Sequence, residues 1–337
     1  MDALSLQHSI LFVVHAGEGV GLGHLTRSLV AARSLVLRLG AQVDFVAVGQ
    51  KIDHSLAREF SIHFSVTHGP VDVVVDQCTK NKPYAAICLD LFNPLLVESL
   101  GPVLEDIRKI GCQIVAIDSL TGFEGLIDLL YVPSFMQPAF VEAGEFQGRL
   151  AYGWNAYLLN AQSTDQKLSR GGSILVLTGG SDVTRLGQSW PKIFNECLPR
   201  GSVVHWVTGP FSERPTIPDP SSIDFREHIA PVGLSALMNR AEVAVTVFGV
   251  SFFELVALGV PTVVFSPYGE KDSRELGEIA KTRIALVADH ADDAAKKTAM
   301  LLGDNDLKNQ ISNTARDKIK SFDGKFFADE VSAVLNA

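Results

Sequence analysis

The sequence predicts an α/β protein with two doubly wound domains, and three observations support this. Short apolar runs rich in Val and Ile recur along the chain and alternate with segments of helical length. Runs that are apolar on both faces suit parallel strands covered by helices. The 337 residues are enough for two domains, and the alternation breaks only once, near the middle. We therefore expect two Rossmann-like domains that face a cleft.

The first half contains the first group of predicted strands. An intervening segment, Leu25–Leu39, has apolar residues at helical spacing and predicts a helix. We take residues 1–160 as an N-terminal domain. Its predicted strands are Ile10–His15, Val43–Val48, Ala85–Leu89, Gln113–Ile117 and Leu129–Val132.

A polar stretch at residues 161–172 predicts a linker between the domains. The alternation then restarts, and residues 173–337 are expected to form a C-terminal domain. The last predicted helix, Ala328–Leu335, can pack back on the N-terminal domain. The predicted strands here are Ser173–Thr178, Val203–Thr208, Val243–Val247, Thr262–Phe265 and Ile284–Val287.

Composition excludes several classes of protein. An apolar fraction of 47% with 20% charged residues argues against disorder, and a net charge of −9 lacks the basic surface that nucleic acid requires. No apolar run reaches the ~18 residues of a membrane span, and no secretory signal is recognisable. The four cysteines show no metal-like spacing and suit reduced thiols. We expect a cytoplasmic protein without nucleic-acid partners or an integral membrane segment.

A glycine-rich turn between the first strand and the first helix is the strongest local signal. Glycines at positions 17, 19, 21 and 23 allow close backbone approach, and the helix start offers N–H groups to an anion. The spacing fails the G-x-G-x-x-G pattern of dinucleotide sites, and the P-loop pattern is absent. The turn therefore predicts a site for a phosphate or an acidic sugar.

His24 follows this turn and would face the carboxyl ends of the strands, where ligands bind in such sheets. A histidine there can act as a general base near neutral pH. The alternative is a capping or packing histidine. Arg27, one turn later, is expected to pair with a carboxylate inside the domain.

The motif Gly21-x-Gly23-His24-x-x-Arg27 resembles the first motif of nucleotide-sugar enzymes with the GT-B fold. Among these, the chain is most similar to the UDP-sugar hydrolase of pseudaminic acid biosynthesis and its relatives in surface-polysaccharide pathways. The resemblance extends over nearly the whole chain. It implies that the N-terminal domain carries the catalytic base and the acceptor site. His24 would have the catalytic role, with Asp90 or Asp118 as orienting partner or substitute base.

The second half carries further matches. The turn at Gly179, Gly180 and Ser181 resembles the second glycine turn of these enzymes, and residues 237–262 resemble their nucleotide-sugar signature. Within the signature, Gly249, Val250, Ser251 and Glu254 form a glycine turn followed by an S-x-x-E capping box, which predicts a helix start able to hold a pyrophosphate.

The resemblance also implies that the C-terminal domain binds the nucleotide sugar, and it implies residue roles in nucleotide recognition. Glu254 would hydrogen-bond the ribose, and backbone groups of His228 and Ile229 would contact the uracil edge. A capping box without any ligand contact is the alternative for Ser251 and Glu254. Phe248 and Phe253 replace smaller residues of the family around the turn.

These observations predict a glycosyltransferase that uses a UDP-sugar, without a metal cofactor, in surface polysaccharide or glycoconjugate biosynthesis. The acceptor would be a small molecule or a glycan. A UDP-sugar hydrolase that releases free sugar and UDP is the alternative, and a noncatalytic sugar-nucleotide-binding protein is the second. Phe92 stands where the hydrolases have a tyrosine, which favours the transferase.

Overall fold

The structure is a computed structural model of the chain, which forms two compact units. The first comprises Met1–Asn160 and Ser321–Ala337, and the second comprises Ala161–Lys320. Gly21, Ser181 and residues 161–171 of the predicted linker lie outside the described residues. No described helix is long and apolar enough to cross a membrane. The structure describes residues 8–17, 20, 23–50, 62–137, 141, 146–160, 172–180, 182, 184–231 and 233–337.

The first unit contains a seven-stranded parallel sheet in the order β3-β2-β1-β4-β5-β6-β7. In the central strand β1, Ile10, Phe12 and Val14 point to one face and Leu11 and Val13 to the other, and all are buried. The two faces therefore both need a covering layer. The strands are β1 (Ser9–His15), β2 (Gln42–Val48), β3 (His63–Thr67), β4 (Ala86–Asp90), β5 (Gln113–Ile117), β6 (Leu129–Tyr131) and β7 (Arg149–Ala151).

Two pairs of helices cover these faces. The helices Gly23–Leu39 and Lys325–Leu335 pack on one face, and Val71–Asn81 and Leu100–Lys109 pack on the other. The terminal helix is anchored by the buried ring of Phe327, which lies 4.9 Å from the Tyr131 ring and 6.4 Å from the Phe12 ring between centroids. The last helix is thus part of the first unit.

The second unit contains a six-stranded parallel sheet in the order β10-β9-β8-β11-β12-β13. Its strands are β8 (Ser173–Leu177), β9 (Val203–Thr208), β10 (Asp224–Ile229), β11 (Val243–Val247), β12 (Thr262–Phe265) and β13 (Leu286–Ala288). Its helices are Leu186–Cys197, Ser235–Arg240, Val250–Ala257, Ser273–Thr282, Ala291–Gly303 and Asn305–Lys318. They bury apolar side chains on both faces of the sheet.

The prediction of two doubly wound α/β domains is confirmed. Two strands of the first sheet were not predicted: β3 is a half-exposed edge strand and β7 has only three residues, so neither forms a long apolar run. The last strand lies at Leu286–Ala288, two residues beyond the predicted start at Ile284.

Strand order fixes where each unit can hold a ligand. In the first sheet β2 and β3 lie on one side of β1 and β4 lies on the other, so the direction in which strands are added reverses between β1 and β4. In the second sheet the same reversal occurs between β8 and β11. In open α/β sheets a crevice forms beside the carboxyl ends of the strands at such switch points. His15 and Asp90 end the two central strands of the first sheet, and Gly179 and Gly249 follow those of the second.

Candidate functional site

Asp90 is the centre of a polar network in the first unit. Its side chain has no exposed surface. Arg27 donates to both carboxylate oxygens, from Nε at 2.7 Å and from Nη2 at 2.6 Å, and the Ser28 hydroxyl donates at 2.8 Å. Burial alone would raise the pKa of Asp90, but the charge and hydrogen bonds of Arg27 and the bond from His24 lower it below its usual value. Asp90 is therefore a buried, ionised carboxylate.

His24 is held by this carboxylate. Its Nδ1 lies 2.5 Å from Asp90 Oδ1, and since an ionised carboxylate only accepts, Nδ1 carries the hydrogen. Nε2 is then the basic nitrogen. The side chain is 20% exposed, so substrate can reach the ring although it cannot reach Asp90. The pair has the arrangement of a general base and its orienting carboxylate.

Asp118, the other predicted acid, lies at the edge of the same network. Its carboxylate is 3.5 Å from Arg27 Nη1, and its side chain is 54% exposed. Desolvation by the surrounding chain raises the pKa of Asp118, and Arg27 opposes that rise. Asp118 and Leu120 have φ values of 49° and 65°, in the left-handed region that non-glycine residues rarely adopt. The structure thus brings His24, Asp90 and Asp118 together around Arg27.

His15 belongs to the same site but was not predicted. Its Nδ1 accepts a hydrogen bond from the Phe92 amide at 3.1 Å, and the Phe92 ring meets the His24 ring edge-on at 6.2 Å between centroids. Burial and then the neighbouring His24 lower the pKa of His15. The available signal was its position as the last residue of the first strand, directly before the glycine turn.

The first glycine turn packs against the turn after β2. Gly17 and Gly49 have φ values of 102° and 148°. A Cβ at Gly17 would lie 1.9 Å from the Gln50 carbonyl oxygen, and one at Gly49 would lie 1.8 Å from the Ala16 oxygen. Gly17 therefore serves backbone packing. Gly23 begins the helix with open space at its Cβ position, and its predicted ligand contact stays a prediction.

The predicted capping box in the second unit is wrong. The helix begins at Val250 with Gly249 as its N-cap, and no side chain caps it. Ser251 is therefore the second helical residue and Glu254 the fifth, so neither occupies the position that a capping box requires. The Val250 and Ser251 amides lie in the first turn, where no helix carbonyl accepts from them. This helix start can donate to an anion.

Glu254 lies one turn into this helix and is half-buried. Burial raises the pKa of Glu254 to about 7, and no partner charge or hydrogen bond opposes the rise. Within the described part of the chain, no donor lies within hydrogen-bond distance of its carboxylate. A partly desolvated carboxylate without a partner gains from a ligand that supplies hydroxyl donors.

The second glycine turn, at Gly179 and Gly180, is followed by an unpredicted feature. Asp182 accepts from the Leu186 amide at 2.9 Å and from the Gly187 amide at 2.8 Å. Its carboxylate thus occupies the N-terminus of the helix that follows, which leaves no room there for a phosphate. Any ligand contact must come from the exposed turn itself.

His228 and Ile229 end the edge strand β10. Asp224 and Ala230 donate to β9 through their amides. In a strand, the backbone N–H and C=O groups of alternate residues point to opposite sides. The backbone groups of His228 therefore also point to β9, and those of Ile229 point to the free edge of the sheet. His228 Nε2 lies 2.8 Å from His205 Nδ1. Of the two predicted residues, only Ile229 has backbone groups placed to read a base.

No group of three or more His, Cys, Asp or Glu side chains in the described ranges is arranged to hold a metal ion. Asp304, in the D-x-D sequence, caps a helix by accepting from the Leu307 amide at 2.9 Å.

Comparison with known proteins shows the fold. No family model matches the chain, and no curated protein is similar to it. The chain is similar to the solved structure of Acinetobacter baumannii MurG, with 14% identity, a TM-score of 0.65 and coverage of 97% of this chain and 99% of that one. It is also similar to the glycotransferase of kitacinnamycin, with 15% identity, a TM-score of 0.68 and coverage of 98% and 99%.

A third similar structure is TcCGT1 in complex with UDP, with 11% identity, a TM-score of 0.65 and coverage of 98% of this chain and 99% of that one. These likenesses extend over both units. They show that the chain has the GT-B fold, as the sequence predicts.

Proposed function

We propose that this protein is a glycosyltransferase that uses a nucleotide-diphosphate sugar, with UDP as the expected nucleotide. The observation that carries the proposal is the His24–Asp90 pair at the switch point of the first sheet. A histidine with one nitrogen fixed by a buried carboxylate and the other accessible is built to take a proton from a hydroxyl. The GT-B fold and the UDP bound by one similar structure support the choice of donor.

In the proposed reaction, His24 Nε2 takes the proton of an acceptor hydroxyl. The acceptor oxygen forms a bond to the anomeric carbon of the donor sugar, and the bond from that carbon to the diphosphate oxygen breaks. The products are the glycosylated acceptor and the nucleoside diphosphate. Asp90 holds the imidazole and stabilises the imidazolium that forms, and Arg27 keeps Asp90 ionised.

The second unit supplies the proposed donor site. The Val250 and Ser251 amides bind the diphosphate and stabilise the negative charge it gains as it leaves. Glu254 accepts hydrogen bonds from the ribose hydroxyls. The Ile229 backbone, exposed at the sheet edge, pairs with the base. In this scheme the helix start and amides supply the stabilisation that a metal ion would otherwise give, so we propose that no metal is needed.

A hydrolase would use the same residues with water in place of the acceptor. Phe92 favours transfer, because its ring beside His24 adds an apolar surface and no phenol. The role in surface polysaccharide or glycoconjugate biosynthesis rests on the motif resemblance.

The test is donor consumption with UDP-, CMP-, GDP- and TDP-sugars, measured with and without acceptors. Donor consumption that is slow without acceptor and faster with it supports transfer, since the acceptor positions the nucleophile and excludes water. Fast release of free sugar without acceptor would establish the hydrolase instead. Nucleotide binding without turnover would establish a binding protein.

The His24→Ala variant tests the base directly. We expect turnover to fall about 10²–10⁴-fold while nucleotide affinity stays unchanged. His63→Ala is the matched control, because His63 is an exposed histidine of the same unit that pairs with Asp44 on the sheet. Normal turnover in His24→Ala would remove the proposed base.

A further inference from the structure

A cavity of about 480 Å³ lies beside His15 in the first unit. This volume is in the range that encloses a small organic molecule. It opens next to the carboxyl ends of β1 and β2, at the edge of the sheet where His24 and Asp90 lie. Its position matters because an acceptor must place its hydroxyl at His24 while the rest of the molecule is held elsewhere.

The side chains that line the cavity are mostly apolar. Val48, Pro70, Val71, Leu95 and Val97 are apolar, and none of the described lining residues is charged. Among these residues only His15 and Gln50 have polar side chains, so several hydroxyls of a sugar would face apolar side chains. Unpaired hydroxyls cost binding free energy, so these walls disfavour a glycan.

The mouth of the cavity is apolar as well. Leu95 and Val97 lie on the segment that follows β4 and are 51% and 39% exposed. An apolar ligand in the cavity would remove part of these exposed side chains from water, which favours its binding. The same segment begins with Phe92, which contacts His24.

His15 is oriented by the chain itself. Because its Nδ1 accepts from the Phe92 amide, the neutral ring carries its hydrogen on Nε2. None of the described residues accepts a hydrogen bond from that nitrogen. The lowered pKa of His15 agrees with a neutral ring. The cavity therefore has apolar walls and one fixed hydrogen-bond donor.

We propose that this cavity binds the acceptor, that the acceptor is an uncharged apolar molecule bearing a hydroxyl, and that His15 Nε2–H is the positioning donor that orients it. The identification of the ligand as the acceptor rests on the proposed transferase function. The binding site itself does not, and its test needs no turnover.

The experiment is a ligand-observed NMR titration of the full chain with 2-naphthol as apolar probe and methyl β-glucoside as polar probe. We expect 2-naphthol to bind and the glucoside not to bind. The double variant Leu95→Glu, Val97→Glu should weaken 2-naphthol binding at least about fivefold, since charges at the mouth must be desolvated. Leu37→Glu, at a position 70% exposed on the first helix, is the matched control and should bind normally.

Two substitutions separate the roles of His15. Asn can accept from the Phe92 amide as Nδ1 does but has no donor at the Nε2 position, whereas Gln can place a donor near Nε2. We expect His15→Asn to keep the unfolding midpoint but to weaken 2-naphthol binding about fivefold or more. His15→Gln should bind 2-naphthol better than His15→Asn and unfold earlier.

Wild-type affinity in His15→Asn would overturn the role of His15. Unchanged 2-naphthol binding in the Leu95→Glu, Val97→Glu variant would overturn the apolar acceptor site. Tighter binding of the glucoside than of 2-naphthol would overturn it as well. Calorimetry with UDP separates this result from the proposed function: absent UDP binding with intact 2-naphthol binding contradicts the transferase and leaves the cavity site standing.

Discussion

Asp90 in the first unit is fully buried and Glu254 in the second is half-buried, and both lie near the carboxyl edge of a parallel sheet, but their partners differ. Asp90 accepts hydrogen bonds from Arg27, Ser28 and His24. The charges and hydrogen bonds of Arg27 and His24 lower its pKa despite full burial. Glu254 has no such partner, and burial raises its pKa to about 7. The same functional group is thus stabilised as an anion in one unit and destabilised in the other.

The difference fits two kinds of task. A carboxylate that orients a base must be ionised and fixed before substrate arrives, so its hydrogen bonds come from the protein. A carboxylate that binds ribose must keep its acceptor positions open, and this lowers the stability of the folded protein until ligand binds. We therefore expect substitutions of Asp90 to destabilise the fold and substitutions of Glu254 to stabilise it.

The largest expected effect is on the unfolding free energy of Asp90→Asn. This change leaves the buried Arg27 guanidinium without its ionised partner, and breaking a buried pair in this way costs about 3–5 kcal/mol. Urea unfolding at pH 7 measures it. Asp118→Asn is the control, because that half-exposed carboxylate is only 3.5 Å from Arg27 and should cost under about 1 kcal/mol. Equal losses in the two variants would contradict the network.

The next effect is a gain of stability in Glu254→Gln that depends on pH. The folded state keeps a proton on Glu254 up to pH about 7, whereas the unfolded chain loses it near 4.5. Stability of the wild type therefore falls as pH rises from about 4.5 to about 7. The full difference would be about 3 kcal/mol, and since the side chain keeps some solvent access we expect about 2 kcal/mol.

Unfolding curves of wild type and Glu254→Gln at pH 4, 6 and 8 check this. The two proteins should be similar at pH 4 and differ most at pH 8, where the glutamine variant is more stable. Asp90 has the opposite sign: its contribution is present above pH ~4 and is lost as pH falls through its lowered pKa. A constant difference between the two proteins at all pH values would show that Glu254 is not desolvated.

The sequence predicted the elements that carry these residues. The parallel strands follow from apolar runs, and His24 and Asp90 were placed at the carboxyl ends of the strands, so both could be expected at one edge of the sheet. The strand order and its switch points come from the structure. What the sequence does not show is which partner satisfies which polar group. Asp90 and Asp118 both end strands, and only the packing of Arg27 and Ser28 distinguishes the buried acid from the exposed one.

The capping box illustrates a local signal that tertiary structure overrides. Ser251 and Glu254 have the right spacing, but the Phe248 amide pairs with the Phe265 carbonyl at 2.8 Å and the helix begins at once after Gly249. The start of the helix therefore lies one residue before Ser251. His15 was missed because a histidine at a strand end has no pattern of its own, and its role depends on the Phe92 amide from a distant segment.

The smallest effect concerns nucleotide affinity. Glu254→Ala should weaken UDP binding at least about tenfold at pH 8, or ~1.4 kcal/mol, because two ribose hydroxyls lose a charged acceptor. At pH 6 most of the wild-type carboxyl is protonated, so we expect the difference between wild type and variant to shrink. Calorimetry at both pH values measures it, and comparing the two proteins at each pH cancels the titration of the nucleotide's own phosphate. Equal UDP affinity at pH 8 would remove Glu254 from the donor site, and a difference that grows toward pH 6 would mean that the protonated form binds the ribose.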